Sequence, residues 1–276
     1  MAKTFQPLDP NLAAQRSSRA PGRIDHAPSV ENKEPFSAKR IIVADAYPVC
    51  RYGLQRFFER QPDLTCSAEA GTAEALLTVL ASDQPDFLVM GLRFSDADGI
   101  QLIKTIRDGY PALPILVHSA LDESVYAERA LRAGASGFLR KNEPLTELLN
   151  AVHCILDGEL YVSRKMSALI LRQSFREKRG GDSSVKALTD RELYVFQLLG
   201  AGLASRKIAM QLGVSLKTVE SHRENIKRKL GLRDGAELVR HAFQFVDTPF
   251  RALAQSLTTA PRASRSTHRH GSKGLP

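Results

Sequence analysis

Four short apolar runs end on residues that define a candidate site. IIVA (41–44) leads into Asp45, DFLVM (86–90) into Gly91, LPILVHS (113–119) ends on Ser119, and SGFLRK (136–141) ends on Lys141. If the runs are parallel strands, these are their carboxyl ends, where open α/β sheets gather functional groups. The set supplies an acid, a hydroxyl and an ammonium, while Gly91 brings no side chain. Asp45 can pair with Lys141, which would otherwise be buried without a counter-charge. His118, beside Ser119, reads as a strand residue. A second set lies far along the chain. A helix over 216–230 puts Val219, Ile226 and Leu230 near one face, with Glu220, Ser221, Arg223, Glu224 and Lys227 elsewhere. Lys217 and Thr218 open it, where free amides and the helix dipole favour a phosphate. Such a helix can enter a DNA major groove. On periodicity alone it fits equally well as the solvated face of an ordinary helical bundle.

Both sets need elements to hold them. Residues 39–162 alternate apolar runs with amphipathic stretches: strands at 41–44, 64–70, 86–90, 113–119 and 136–141, and helices at 49–60, 72–82, 99–109, 123–133 and 144–157. Thr72 caps the second helix, with Glu74 in its first turn. Five strands alternating with five helices, the strands almost wholly apolar, predict an open parallel sheet covered on both faces. Residues 163–185 are a basic connection in which SALILRQSF can extend as a helix and Gly180-Gly181 can hinge. Residues 186–246 are all helical. Thr189 caps a helix ended by Gly200 and Gly202, Ser205 starts a short one, Gly213-Val214-Ser215 turns, Gly231 stops the long one, and 235–246 form the last. A short helix, a glycine turn and a second helix make the helix-turn-helix pattern. Residues 1–38 and 247–276 read as disordered extensions, the second of them basic.

Composition limits the function. The chain has 276 residues and a net charge of +9, unevenly spread: residues 39–162 carry net −5 and residues 186–246 net +5. A basic back half suits a polyanion. No apolar run is long enough to span a membrane and the N-terminus lacks a signal-peptide core, so a cytoplasmic protein is expected. Cys50, Cys66 and Cys154 are widely spaced and predict buried free thiols, not a metal or disulfide set. No GxGxxG, P-loop or nucleophile elbow is present, which argues against an enzyme, and no cofactor is expected.

LTDREL (188–193) and GLASRKIAMQLGVSLKTVESHRENIKRKLGL (202–232) resemble the LuxR-type helix-turn-helix of bacterial transcription factors. The resemblance implies that Glu220, Ser221 and Glu224 face base edges of double-stranded DNA. Lys217, Thr218, Arg223 and Lys227 would grip phosphates, with Arg206 and Lys207 against the backbone. Lys207 departs from the acidic residue usual in the family. His222 would pack against the scaffold. The last helix would form a homodimer contact.

IIVADAYPVCRYGL, EAGTAEALL, PDFLVMGLRFSDADGI, ILVHSA and ALRAGASGFLRKNEP resemble the receiver domain of response regulators. Together the two resemblances indicate the NarL/FixJ type: a flavodoxin-like α/β receiver followed by a small all-α helix-turn-helix domain. A working receiver uses a strand-end Asp as nucleophile, two acids to hold magnesium, and a hydroxyl and a lysine to sense the phosphoryl group. Asp45 matches the first acid, Ser119 the hydroxyl, Lys141 the lysine and Phe138 an aromatic switch position. Ala46 stands in place of the second acid, Gly91 in place of the nucleophile, and Ser95 in place of a usual proline. The expectation is a DNA-binding regulator whose front domain serves dimerisation or a protein partner and is not switched by aspartyl phosphorylation. The alternative keeps phosphorylation, on Asp96 or Asp98; a third possibility is a protein-binding adaptor.

Overall fold

Two-sided burial fixes the sheet. In the computed structural model, which describes residues 37–174 and 184–246, strands β3 (Phe87–Met90) and β4 (Ile115–Ser119) are buried at every position. The last four residues of β1 (Lys39–Ala44) are buried as well. With β2 (Leu64–Ala70) and β5 (Gly137–Arg140) they form one five-stranded parallel sheet in the order β2-β1-β3-β4-β5. The strand order reverses between β1 and β3, and the crevice beyond their carboxyl ends is where this topology places a site.

Helices cover both faces. α1 (Pro48–Phe58) and α5 (Leu145–Leu156) bury Leu54, Phe58, Leu148, Val152 and Ile155 against Ile41, Val43, Phe87, Val89 and Leu116. α2 (Ala73–Ser82), α3 (Gly99–Gly109) and α4 (Glu123–Ala133) cover the other face. Thr72 caps α2 as expected, its hydroxyl accepting from Ala75 N at 3.1 Å. The predicted strands at 113–119 and 136–141 each begin later, after Pro114 and Ser136, because the turns before them belong to the connections.

The expected extension of SALILRQSF is a real helix and begins earlier: α6 spans Arg164–Ser174 and lies against α4, with Met166 buried. Glu123 holds its start, accepting from Ser163 N at 3.1 Å and Ser163 Oγ at 2.7 Å. The predicted hinge at Gly180-Gly181, the tail from 247 and nearly all of the N-terminal extension lie outside the described residues.

After a single 3-10 turn (Val185–Ala187) come α7 (Asp190–Gly200), α8 (Ser205–Leu212), α9 (Leu216–Leu230) and α10 (Gly235–Phe245). Thr189 and Glu192 form a reciprocal capping box at α7. Gly213 and Gly231 take left-handed φ of 62° and 66°, a conformation that suits glycine and ends α8 and α9. Gly200 does not stop its helix, contrary to expectation. It is the last helical residue of α7, and a Cβ there would overlap the Ala242 carbonyl, so its role is close packing against α10. Gly202, at φ 85°, makes the turn that follows.

The apolar face of α2–α4 runs without a break into the core of α7–α10. Asp190 receives Lys104 Nζ at 2.8 Å from α3 and Arg129 Nη1 at 2.9 Å from α4. Arg129 also donates to Lys186 O and Leu188 O. Gln197 Nε2 donates to Tyr126 OH at 2.6 Å, a buried bond between α7 and α4. Burial alone would raise the Asp190 carboxyl, but the bonds from Lys104 and Arg129 outweigh it and hold it below its ordinary value.

Candidate functional site

Asp45 begins where β1 stops. Its amide donates to Ala70 O at 3.0 Å, so the chain stays tied to β2 while the side chain turns into the crevice. Oδ1 accepts from Tyr47 N at 2.9 Å, and Oδ2 accepts from Lys141 Nζ in a partly buried ion pair. Lys141 is placed by its own amide, which donates to Ser119 O at 2.9 Å. Its ammonium also lies 3.6 Å from Cys50 Sγ and over the Tyr47 ring.

Gly91 follows β3 between these groups, its amide donating to Ala44 O at 2.8 Å. A Cβ at Gly91 would stand 2.7 Å from Asp45 Oδ2. The Asp45 carboxylate therefore fills the space at this strand end where a side chain would begin. Ser119 Oγ is close but turned to the backbone, accepting from Leu121 N at 3.2 Å. The remaining cavity, lined by Asp45, Gly91, Ser119 and Lys141 among others, measures about 20 Å³. That is room for about one water. Asp45 is the one acid in its lining, and its outer oxygen belongs to Lys141. Magnesium demands several hard oxygens in octahedral array. Ala46 and Gly91 offer no side-chain oxygen, so this donor set does not fit that ion. Phe138 is fully buried.

The two loop acids face other elements. Asp96 accepts from Ala73 N and Glu74 N, both at 3.0 Å, and so binds the N-terminus of α2. Asp98 caps α3 through Ile100 N at 2.9 Å. The Asp98 cap was expected; the Asp96 bond to α2, 23 residues back, left no sign in the sequence. His118 is a buried strand residue whose Nδ1 has no hydrogen-bond partner. Burial, reinforced by the charge of Lys141, pushes it down to about 4. The three cysteines are free but only half-buried, Cys66 packing at the edge of the α1/α5 layer. Among the described residues no three His, Cys, Asp or Glu side chains converge as metal ligands.

The second site is α9. Ser215 caps it, accepting from Thr218 N at 3.0 Å. Val219 and Ile226 are buried and Leu230 is half-buried, which leaves Lys217, Glu220, Ser221 and Glu224 exposed along one side. Arg206 and Lys207 are exposed on α8. Arg223 and Lys227 are half-buried. Arg223 donates to Ser205 Oγ at 2.7 Å and lies 3.6 Å from Glu220, and Lys227 pairs with Glu224 at 2.8 Å. His222 is half-buried. One pair escaped the sequence reading: Lys229 Nζ meets the buried Glu192 at 2.6 Å and ties α9 to the capping box of α7.

Comparison with known proteins agrees with both halves. Residues 41–153 match the response regulator receiver domain, and residues 186–242 match the luxR family of bacterial regulatory proteins. The oxygen regulatory protein NreC of Staphylococcus haemolyticus is 32% identical over 210 residues, covering 74% of this chain and 97% of NreC. NreC of Staphylococcus aureus strain MRSA252 is 31% identical over the same shares. A structure of RcsB from Salmonella enterica serovar Typhimurium, bound to promoter rprA with the phosphomimetic BeF3−, superposes with a TM-score of 0.61 at 24% identity. It covers 75% of this chain and 99% of RcsB. A second RcsB structure gives 0.62 at 24% identity, covering 76% and 98%. At that identity the likeness is one of fold. The chain belongs to the NarL/FixJ-type response regulators, DNA-binding transcriptional regulators that join a receiver domain to a LuxR-type helix-turn-helix.

Proposed function

We propose that this regulator carries a pseudo-receiver and binds its operator without a switch by aspartyl phosphorylation. The Asp45–Lys141 pair beside Gly91 carries the reading. The lysine that would sense a phosphoryl group is already neutralised by an internal carboxylate, and that carboxylate stands against the position from which a nucleophile would extend. Ser119, the other sensing group, is bonded to its own loop. Phe138 is packed inward. These contacts favour one fixed state of the front domain, which then acts through dimerisation or a protein partner.

In this reading Lys217, Thr218, Arg206 and Lys207 meet phosphates while Glu220, Ser221 and Glu224 face base edges. Arg223 and Lys227 join them by leaving their carboxylate partners when DNA arrives. Carboxylates can accept from cytosine amino groups, which gives Glu220 and Glu224 a role at base edges once their partners turn to phosphates. α10, with Val239 and Phe243 exposed, supplies the homodimer contact, so the operator has two half-sites.

The rival reading, phosphorylation of Asp96 or Asp98, is disfavoured by what those carboxylates hold: the N-termini of α2 and α3. Operator affinity of the intact protein, with and without a small phosphodonor and magnesium, separates the two. Equal affinities are expected. An affinity change abolished by Asp96→Asn or Asp98→Asn would establish the rival.

A further inference from the structure

A cleft of about 540 Å³ opens between the receiver and the helix-turn-helix domain. Its volume falls in the range of small-molecule sites, about 300–1,000 Å³, and domain junctions are where such sites concentrate. Both domains build it. Leu77 and Leu102 come from α2 and α3, and Tyr194 and Leu212 from α7 and α8, so the walls are mainly apolar. Gln211 closes one end, with Nε2 lying 3.4 Å from Ser95 O and 3.5 Å from Tyr194 OH.

The charge of the lining is one-sided. Glu74, Asp96 and Asp98 face a single cation, Arg191. Arg191 is engaged, donating to Leu212 O at 3.2 Å. Both oxygens of Asp96 and one oxygen of Asp98 accept from backbone amides, while the exposed Glu74 carboxylate has no ion-pair or hydrogen-bond partner among the described residues. Burial, with the nearby charge of Asp190 adding to it, pushes the Asp98 carboxyl up to about 6. An anion would meet repulsion from three sides of this cleft, and a neutral apolar molecule would leave the acids uncompensated.

We propose that this cleft binds a small organic cation with an apolar body, its ammonium or guanidinium group set among Glu74, Asp96 and Asp98 and its body between Leu77, Leu102, Tyr194 and Leu212. A molecule that touches both domains binds only while they are docked, so it favours the docked arrangement by its differential affinity. The cleft would then be an input point for a chemical signal. It stands apart from the strand-end pocket and holds whether or not that pocket can be phosphorylated.

The test is a nuclear magnetic resonance titration of the isotope-labelled full chain with three probes of similar size: phenylethylammonium, phenylethanol and phenylacetate. The expected result is saturable shifts with the ammonium, clustered on α2, α3 and α7, at an affinity about threefold or more above that of the alcohol, with no binding of the acetate. Glu74→Gln should remove most of the preference for the cation. Thr105→Trp, a substitution at an exposed lining position, should obstruct the cleft and weaken binding at least severalfold while operator affinity and circular dichroism stay unchanged. Equal binding of all three probes, binding indifferent to Thr105→Trp, or no saturable shift with the ammonium would each overturn the proposal.

Discussion

Single side chains decide the electrostatics of the front domain. Asp45 is buried and Lys141 half-buried, and breaking a fully buried pair by removing one partner costs about 3–5 kcal/mol because the other charge is left uncompensated, which sets the upper end here. Lys141→Met is therefore expected to lower unfolding stability by about 3 kcal/mol, measured by urea titration, while the double variant Asp45→Asn/Lys141→Met recovers much of the loss. Equal losses in the single and double variants would show that the pair is not coupled. Two other groups, the half-buried Asp98 and the buried His118, are expected to shape the response to pH. Asp98 is raised to about 6, so between its ordinary value and 6 the folded chain keeps a proton that the unfolded chain has lost. Its contribution to stability is full below the ordinary carboxylate value and is lost as pH rises through 6. His118, lowered to about 4, works in the opposite sense, contributing above the ordinary imidazole value and losing that contribution as pH falls through 4. Asp98→Asn keeps the cap, since an amide oxygen also accepts from Ile100 N. It should gain stability relative to the parent as pH rises from about 4 to about 6, by up to about 2–3 kcal/mol. A constant difference between the two proteins across that window counts against the burial of Asp98.

Elements show where sequence was legible. Strands β1, β3 and β4 read clearly because two-sided burial leaves near-continuous apolar runs, and α9 read clearly because Ser215 and Gly231 mark its ends. The empty positions at Ala46 and Gly91 were also legible, being matters of residue type. The carboxylate that fills the gap was only half-legible: pairing with Lys141 followed from charge, but the close approach of Asp45 to Gly91 depends on three strands set in register. Asp96 binding α2 and Lys229 binding Glu192 were not legible, since each joins elements distant in sequence. Gly200 was misread because a glycine at a helix end reads as a stop whether it serves the backbone or a neighbour. Its true role makes a prediction at this scale. Gly200→Ala must push α7 from α10 and should cost about 3 kcal/mol or more by thermal or urea unfolding. The same substitution at exposed Gly53, where a Cβ meets nothing within 4 Å, should not destabilise α1.

At the scale of the whole molecule, the continuous core from α2–α4 into α7–α10 and the Asp190 and Gln197 contacts predict that the two domains unfold as one cooperative unit. Asp190→Ala combined with Gln197→Ala should loosen the junction, so that calorimetry resolves two transitions where the parent gives one. DNA binding by the basic half should weaken steeply with salt, as counterion release requires, and Lys217→Ala should lower that slope by about one unit without changing operator preference. These properties follow from fold and charge and do not depend on chemistry in the receiver. That chemistry is tested most directly by the intact mass of the full chain after incubation with acetyl phosphate and magnesium. The Asp45–Lys141 pair and the missing carboxylate at Gly91 predict an unchanged mass. A stoichiometric, acid-labile phosphoryl group on any aspartate of residues 39–162 would contradict the account.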